Sequence, residues 1–171
     1  MRLDNIEQKS ERIIEGLTIE KTKTPEESFR IAADFIERLR NSYPAINYPR
    51  QIEAYDPVTN GKKTTSYFAR EQDRIIGLIM GINDQIGFNA QAFIVDPKYQ
   101  GTNVAESLIR AMQADCKNIR LVPMPIAWKN KKTVNGGPTK PAVLTRYYKR
   151  FGFNDTGTGL MTWEKQQNDK V

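Results

Sequence analysis

Three stretches of the chain repeat apolar residues at the spacing of an α-helix. In the first, Thr24 caps a predicted helix whose first position suits Pro25, and one apolar face follows as far as Asn41. In the second, apolar residues four apart predict a helix over residues 102–117. The third predicted helix covers residues 142–151 and ends before a glycine, the usual residue after a helix end.

Runs rich in β-branched and aromatic residues lie between the helices and predict strands. These strands cover residues 16–21, 64–70, 74–81, 89–95, 119–128 and 153–164, the last as a strand or hairpin. Two prolines predict that strand 119–128 is irregular, and segment 41–61 is predicted to be a loop with a short helical turn. Because hairpin-linked strands come first and strand–helix units follow, the order predicts an α/β (α+β) fold in which helices cover a mixed sheet.

The composition is that of an ordinary globular chain: of 171 residues, 39% are hydrophobic and 27% are charged. This length predicts a single domain, residues 1–171, whose polar ends at 1–11 and 165–171 are loosely held. No run approaches the roughly 20 apolar residues that span a bilayer. The polar N-terminus lacks the apolar centre of a signal peptide. We therefore expect a cytoplasmic protein without a membrane partner.

The chain contains no histidine and one cysteine, Cys116. This composition excludes Ser-His-Asp and Cys-His catalysis and removes the usual nitrogen ligand of catalytic zinc, so no metal site is expected. Proton transfer must then use Asp, Glu, Tyr, Lys, Cys or water. Cys116 lies on the apolar face of its predicted helix and is interpreted as unreactive core, since a buried thiol is not activated.

Positive charge is concentrated in the C-terminal half of the chain. The net charge is +6, and residues 117–150 contain nine Lys or Arg residues and no Asp or Glu. This segment predicts an anionic ligand or partner. A solvated, lysine-rich loop is the alternative interpretation.

A predicted buried strand ends near Val95 and runs through a short turn into the helix at 102–117. The first N–H groups of a helix have no internal acceptor and lie at the positive end of the helix dipole, so they bind phosphate. Small residues, Gly101 and Ala105, allow a ligand to approach the backbone. The segment is neither a Walker A loop nor a dinucleotide fingerprint. A strand-to-helix turn without a ligand remains the alternative.

The same segment resembles the acyl-CoA-binding motif of the GNAT superfamily, a Gln/Arg-x-x-Gly-x-Gly/Ala loop after a strand that ends in Val-x-Pro-x-Tyr. The matching residues are Val95, Pro97, Tyr99, Gln100, Val104 and Ala105. The chain departs from the motif at Asn103, where the family usually has glycine. Because asparagine tolerates a left-handed backbone better than other non-glycine residues, we expect Asn103 to adopt one.

Residues 144–153 resemble the family's helix end Ala-x-x-Phe-Tyr-Glu-Lys-Leu-Gly-Phe, and Tyr148 falls on its recurrent tyrosine. In many members that tyrosine protonates the departing CoA thiolate, and a phenol is one of the few acids in a chain without histidine. Packing of Tyr147 and Tyr148 on the sheet is the alternative. Two departures lie nearby: Pro141 stands where many members have asparagine, and Leu144 where they have alanine.

The resemblance implies a GNAT-like fold, with a mostly antiparallel twisted sheet of six to seven strands flanked by helices. It implies an N-acetyltransferase that passes the acetyl group of acetyl-CoA directly to a primary amine of an unidentified acceptor. It assigns proton donation to Tyr148. Binding of the cosubstrate is assigned to the strand residues Phe93, Ile94 and Val95 and to the loop residues Gln100, Gly101, Thr102, Asn103, Val104 and Ala105.

The general base is not determined by the sequence. Glu53, Glu71 and Asp84 lie near the expected acceptor side, and each also fits a solvated surface acid, the commoner role of such residues.

Two other functions fit the same residues. A catalytically weak or inactive member could bind nucleic acid, with the basic segment 117–150 on the phosphates and Trp128, Tyr147 and Tyr148 stacking on bases. A hybrid is an acetyltransferase whose amine is carried by RNA, such as aminoacyl-tRNA. The sequence is compatible with a monomer or a homodimer.

Overall fold

The computed structural model describes residues 12–47, 55–61, 63–123, 127–128 and 141–167. Its helices are α1 (Pro25–Ser42), α2 (Pro57–Asn60), α3 (Val104–Asp115) and α4 (Pro141–Lys149). Its strands are β1 (Leu17–Lys21), β2 (Ile46–Asn47), β3 (Thr64–Glu71), β4 (Arg74–Asn83), β5 (Phe88–Val95), β6 (Asn118–Leu121), β7 (Ala127–Trp128), β8 (Asn154–Asp155) and β9 (Met161–Glu164). Within these residues no helix is long and apolar enough to cross a lipid bilayer.

Seven of the strands form one sheet in the order β1-β3-β4-β5-β6-β9-β8. All neighbouring strands are antiparallel except β5 and β6, which are parallel. The prediction of a mixed, mostly antiparallel sheet of six to seven strands flanked by helices is confirmed. The remaining strands, β2 and β7, pair with each other and connect the segment after α1 to the segment after β6.

Helices cover the two faces of the sheet because successive side chains of a strand point to opposite sides. On β3, Tyr67 and Ala69 pack with residues of α3 and α4, whereas Phe68 packs with residues of α1. On β5, Phe93 belongs to the α3 and α4 side and Ile94 to the α1 side. The central strands are therefore buried on both faces.

Helix α1 begins where the sequence predicts. The Glu27 N–H donates to Thr24 Oγ1 at 3.1 Å, which is the first bond of the predicted capping box. The Glu27 carboxylate accepts from the N–H of Lys23, one residue before the cap, at 2.7 Å, in place of the second bond to the Thr24 N–H. Pro25 occupies the first turn.

The predicted strand 119–128 is wrong in its second half. Strand β6 ends at Leu121, and Ala127–Trp128 pairs with β2 outside the main sheet. Pro123 follows the end of β6, and proline has no N–H to continue a strand ladder. The predicted hairpin at 153–164 is present as β8 and β9.

Candidate active site

Strand β5 has an open edge in the middle of the main sheet. Its parallel pairing with β6 is limited to Phe88 opposite Ile119 and Asn89 opposite Arg120. Beyond Asn89, β5 continues to Val95 paired with β4 alone in the part of the chain that the structure describes. The backbone groups on its other edge are therefore available to hydrogen-bond an extended ligand.

A β-bulge lies where the open edge begins. Met80 of β4 is opposite Ala92 and Gly81 is opposite Ala90, so Gln91 is the extra residue on β5. Gly81 is required at this close approach, because a Cβ there would lie 2.5 Å from the carbonyl oxygen of Asn89. The bulge re-aims the Gln91 side chain, whose Oε1 accepts a hydrogen bond from the Tyr55 hydroxyl at 3.0 Å.

The turn after β5 is anchored by a buried carboxylate. Asp96 is 0% exposed, and its Oδ1 accepts hydrogen bonds from the Lys98 N–H at 3.0 Å and the Tyr43 hydroxyl at 3.2 Å. Its Oδ2 lies 3.5 Å from Arg74 Nη2 and 3.9 Å from Arg38 Nη2. Asp96 thus holds the first turn after the strand against α1 and β4.

The loop that follows this turn reaches α3 through a left-handed residue, but the residue is not the predicted one. Gly101 has φ +73°, and no atom lies within 4 Å of where its Cβ would be. Asn103 has φ −74° and ψ 3°, so the expectation of a left-handed backbone at Asn103 is wrong. Gly101 already supplies the turn that glycine permits, which leaves Asn103 in an ordinary conformation just before the helix.

The start of α3 presents backbone donors without acceptors. Within the described residues, the N–H groups of Gly101, Thr102, Ala105 and Glu106 make no hydrogen bond. The amide oxygen Oε1 of Gln100, an acceptor, is buried without a hydrogen-bond partner among the described residues. Four free N–H groups at the positive end of a helix form a concentration of donors suited to an anion.

Tyr148 of α4 lies on the same side of the sheet as Phe93 of β5. Its side chain is 4% exposed, and its ring centroid lies 6.2 Å from that of Phe93 and 5.6 Å from that of Phe153. Its hydroxyl makes no hydrogen bond among the described residues. Burial raises the pKa of Tyr148 above its usual value, and so does the nearby Tyr147, so the phenol stays protonated at neutral pH.

A sequence model of the acetyltransferase (GNAT) domain matches residues 62–155, which is more than half of the chain. The chain belongs to the GNAT family of acetyltransferases. It is therefore an acyltransferase, and acetyl-CoA is its cosubstrate. A search of curated proteins gives no significant match.

Solved structures share the fold of this GNAT acetyltransferase. The ribosomal-protein-S18-alanine N-acetyltransferase of Escherichia coli superposes with a TM-score of 0.58 at 13% identity, over 91% of this chain and 98% of that chain. An acetyltransferase from Streptococcus agalactiae gives 0.56 at 15% identity, over 89% and 100%. A GNAT family acetyltransferase from Brucella melitensis, solved in complex with acetyl-CoA, gives 0.54 at 18% identity, over 88% and 89%. At these identities the likeness concerns the fold.

Two of the three candidate general bases of this acetyltransferase, Glu71 and Asp84, lie at turns of the sheet and not at the bulge. Glu71 lies at the β3–β4 turn and accepts a hydrogen bond from the Tyr99 hydroxyl. Asp84 lies at the β4–β5 turn, where hydrogen bonds from Ile86 N–H and Arg120 lower its pKa. Glu53 lies outside the described residues.

Cys116 follows the end of α3, away from the open edge of β5. Its Sγ lies 3.5 Å from the Tyr67 hydroxyl, and burial raises the pKa of the thiol. A protonated, half-buried thiol is a poor nucleophile, in agreement with the interpretation of Cys116 as part of the core.

Two residues at the bulge were not singled out from the sequence. Gln91 and Tyr55 are 36 positions apart, and their contact depends on the bulge and on the path of the chain after α1. No local motif marks either residue. Gln91 is exposed and shares its strand with a second amide residue, Asn89, so the sequence alone gives no signal that selects it.

Proposed function

We propose that this chain is an N-acetyltransferase that transfers the acetyl group of acetyl-CoA directly to a primary amine. The observation that carries the proposal is the arrangement along one edge of β5. Free N–H donors follow its C-terminal end at residues 101–106, an unpaired backbone edge runs back to Gln91, and Tyr148 packs on Phe93 between them.

The loop residues fit the diphosphate of acetyl-CoA. The N–H groups of Gly101, Thr102, Ala105 and Glu106 are free to donate, and the open space beside Gly101 leaves room for phosphate oxygens close to the backbone. The open edge of β5 at Phe93, Ile94 and Val95 suits the amide groups of the pantetheine arm. The side chain of Ile94 is buried under α1, so its contribution is that of its backbone. Cosubstrate binding by these residues, and by Gln100, Asn103 and Val104, remains a prediction.

Bound acetyl-CoA supplies the thioester that reacts. The transfer forms a bond from the amine nitrogen to the acetyl carbon and breaks the bond from that carbon to sulfur. Backbone N–H groups on the open edge of β5 stabilise the oxyanion of the intermediate. The Tyr148 hydroxyl donates its proton to the departing thiolate, and the resulting phenolate regains a proton from solvent after the products leave. The nitrogen loses its proton to water, since Glu71 and Asp84 are held at turns by Tyr99 and Arg120.

The acceptor is proposed to enter on the side where β2 and β7 pair. This pairing brings the segment after α1 next to the segment after β6. Tyr55, which also lies in the chain between α1 and β3, contacts Gln91 at the bulge. Arg146, Lys149 and Arg150 of the α4 end make no ion pair within the described residues. Independently of the side on which the acceptor enters, these exposed cations favour an acceptor with an anionic carrier, and an RNA-borne amine is the specific candidate of this kind.

Binding of CoA is the first test. At a CoA concentration about 100 times its Kd, the free energy of unfolding should rise by about 2.7 kcal/mol. The measurement is thermal unfolding with and without millimolar CoA, supported by calorimetric titration. No shift and no binding heat would contradict the assignment of acetyl-CoA.

Acceptor identity is tested by release of free CoA thiol from acetyl-CoA in the presence of amines, peptides or aminoacyl-tRNA. Turnover on the charged tRNA that falls steeply with salt would identify an RNA-borne amine. Salt-dependent RNA binding with no turnover on any acceptor would instead favour the catalytically inactive alternative.

A further inference from the structure

The segment that precedes β1 pairs with the loop that leads into α3. The Arg12 N–H donates to the Gly101 carbonyl oxygen at 3.1 Å, and the Asn103 N–H donates to the Arg12 carbonyl oxygen at 3.3 Å. These two bonds form a parallel bridge between Arg12 and Thr102. Residues 12–14 will be called the N-terminal strap.

The side chain of Asn103 makes a third bond to the strap. Its Oδ1 accepts a hydrogen bond from the Ile14 N–H at 2.8 Å, in a partly buried position. Glycine, the usual family residue at this place in the motif, has no side-chain oxygen that could accept this hydrogen bond. The residue at which this chain departs from the motif is therefore the one whose side chain holds the strap.

The strap leaves the proposed diphosphate donors free. It uses the N–H of Asn103, whereas the N–H groups of Gly101, Thr102, Ala105 and Glu106 remain without acceptors in the described part of the chain. Gly101 has the conformational freedom of glycine, and its φ of +73° is one of several values open to it. The hydrogen bonds to the strap at Gly101 and at Asn103 lie on either side of Thr102. They therefore restrict the loop to the conformation in which these donors are exposed.

We propose that Asn103 is a positioning residue whose side chain ties the N-terminal strap to the diphosphate-binding loop and so preorganises that loop for acetyl-CoA. The proposal rests on the proposed function, because it concerns the same loop and the same ligand. Preorganisation increases affinity by removing part of the ordering cost from the binding step.

The test measures the Kd of CoA by calorimetry with the full chain and with Asn103→Ala, Asn103→Gly and Ile14→Pro. Each variant removes one partner of the side-chain bond, so each should raise the Kd by about 3- to 10-fold, the equivalent of one hydrogen bond. Asn103→Ala removes the acceptor without the added freedom of glycine. Ile14→Val keeps the N–H and should bind CoA like the wild type.

Two further measurements separate positioning from general destabilisation. The Kd of CoA for the double variant Asn103→Ala with Ile14→Pro should be no higher than that of the single variant with the higher Kd, because the two substitutions remove the same hydrogen bond. Pantetheine lacks the diphosphate, so its binding should be unchanged in Asn103→Ala. Equal loss of affinity for pantetheine and CoA would overturn the proposal in favour of a merely structural role.

The outcomes also distinguish this inference from the proposed function. If the wild type fails to bind CoA, the proposed function fails and the inference fails with it. If the wild type binds CoA and Asn103→Ala binds it equally or more tightly, the strap does not preorganise the loop and the proposed function stands.

Discussion

Replacing Tyr148 by phenylalanine tests the proposed proton donor with little disturbance of the fold. Phenylalanine keeps the ring, and with it the contacts to Phe93, Tyr147 and Phe153 at centroid distances of 6.2, 5.9 and 5.6 Å. The hydroxyl makes no hydrogen bond within the described residues, so its removal should change the free energy of unfolding by less than about 1 kcal/mol. An effect on turnover would then reflect chemistry.

The expected loss of turnover follows from the acidity of the phenol. Loss of a general acid typically lowers the rate by about 10²–10⁴. Burial raises the pKa of Tyr148 above its usual value near 10, whereas a thiol has a pKa of about 8.5. Proton transfer from this phenol to a free thiolate is therefore thermodynamically unfavourable. We therefore expect the lower end, a decrease in kcat of about 10²-fold, equivalent to about 2.7 kcal/mol.

The assay compares kcat for the best acceptor, the Kd of CoA and the thermal midpoint for the wild type, Tyr148→Phe and Tyr147→Phe. Adjacent residues on a helix point about 100° apart, so Tyr147→Phe is a matched control that should keep most of the activity. Equal, small losses in both variants would remove Tyr148 from the mechanism. A loss of CoA affinity as large as the loss of kcat would indicate a role in binding instead.

Two further predictions concern stability. Asp96→Ala should lower the free energy of unfolding, measured by urea titration, by about 2 kcal/mol. This is less than the roughly 3–5 kcal/mol expected when a fully buried ion pair loses one partner, because Arg38 and Arg74 are partly exposed and regain water. An unchanged free energy of unfolding would show that the buried carboxylate does not anchor the turn. Burial and the bond to Asp115 raise the pKa of Tyr67, so the folded state keeps a proton that the unfolded state loses above about pH 10. The stabilisation that Tyr67 contributes to the free energy of unfolding should be full below pH 10 and should decrease above it. In Tyr67→Phe, the free energy of unfolding should decrease less between pH 9 and pH 11 than in the wild type.

The parts of the fold that could be predicted from sequence are those encoded locally. The Thr24 cap of α1 and the turn between β3 and β4 each depend on a few adjacent residues, and both are present. The motif at Val95 to Ala105 could be located because a strand, a turn and a helix start follow one another in the sequence. Such local features locate a site along the sequence, but they do not predict which distant residues contact it in the folded chain.

The features that were missed depend on contacts between distant residues. The pairing of Ile46–Asn47 with Ala127–Trp128 joins segments about 80 positions apart, and neither segment has a pattern that selects the other. The early separation of β5 from β6 is likewise a property of two strands together. The left-handed backbone predicted for Asn103 is absent because Gly101, two residues earlier, supplies the left-handed turn, and asparagine tolerates that conformation without requiring it.

Two of the three departures from the family motifs, Pro141 and Asn103, have local uses in this chain. Pro141 is the first residue of α4, a position where the missing N–H of proline has no intrahelical partner to lose, and its carbonyl oxygen accepts a hydrogen bond from Thr145 Oγ1 at 3.0 Å. Asn103 uses its side chain to bond the Ile14 N–H. Neither residue blocks the free donors of the loop or the open edge of β5. These two departures therefore do not argue for a catalytically inactive chain, and the comparison of turnover on small amines with turnover on an RNA-borne amine decides which acceptor this acetyltransferase uses.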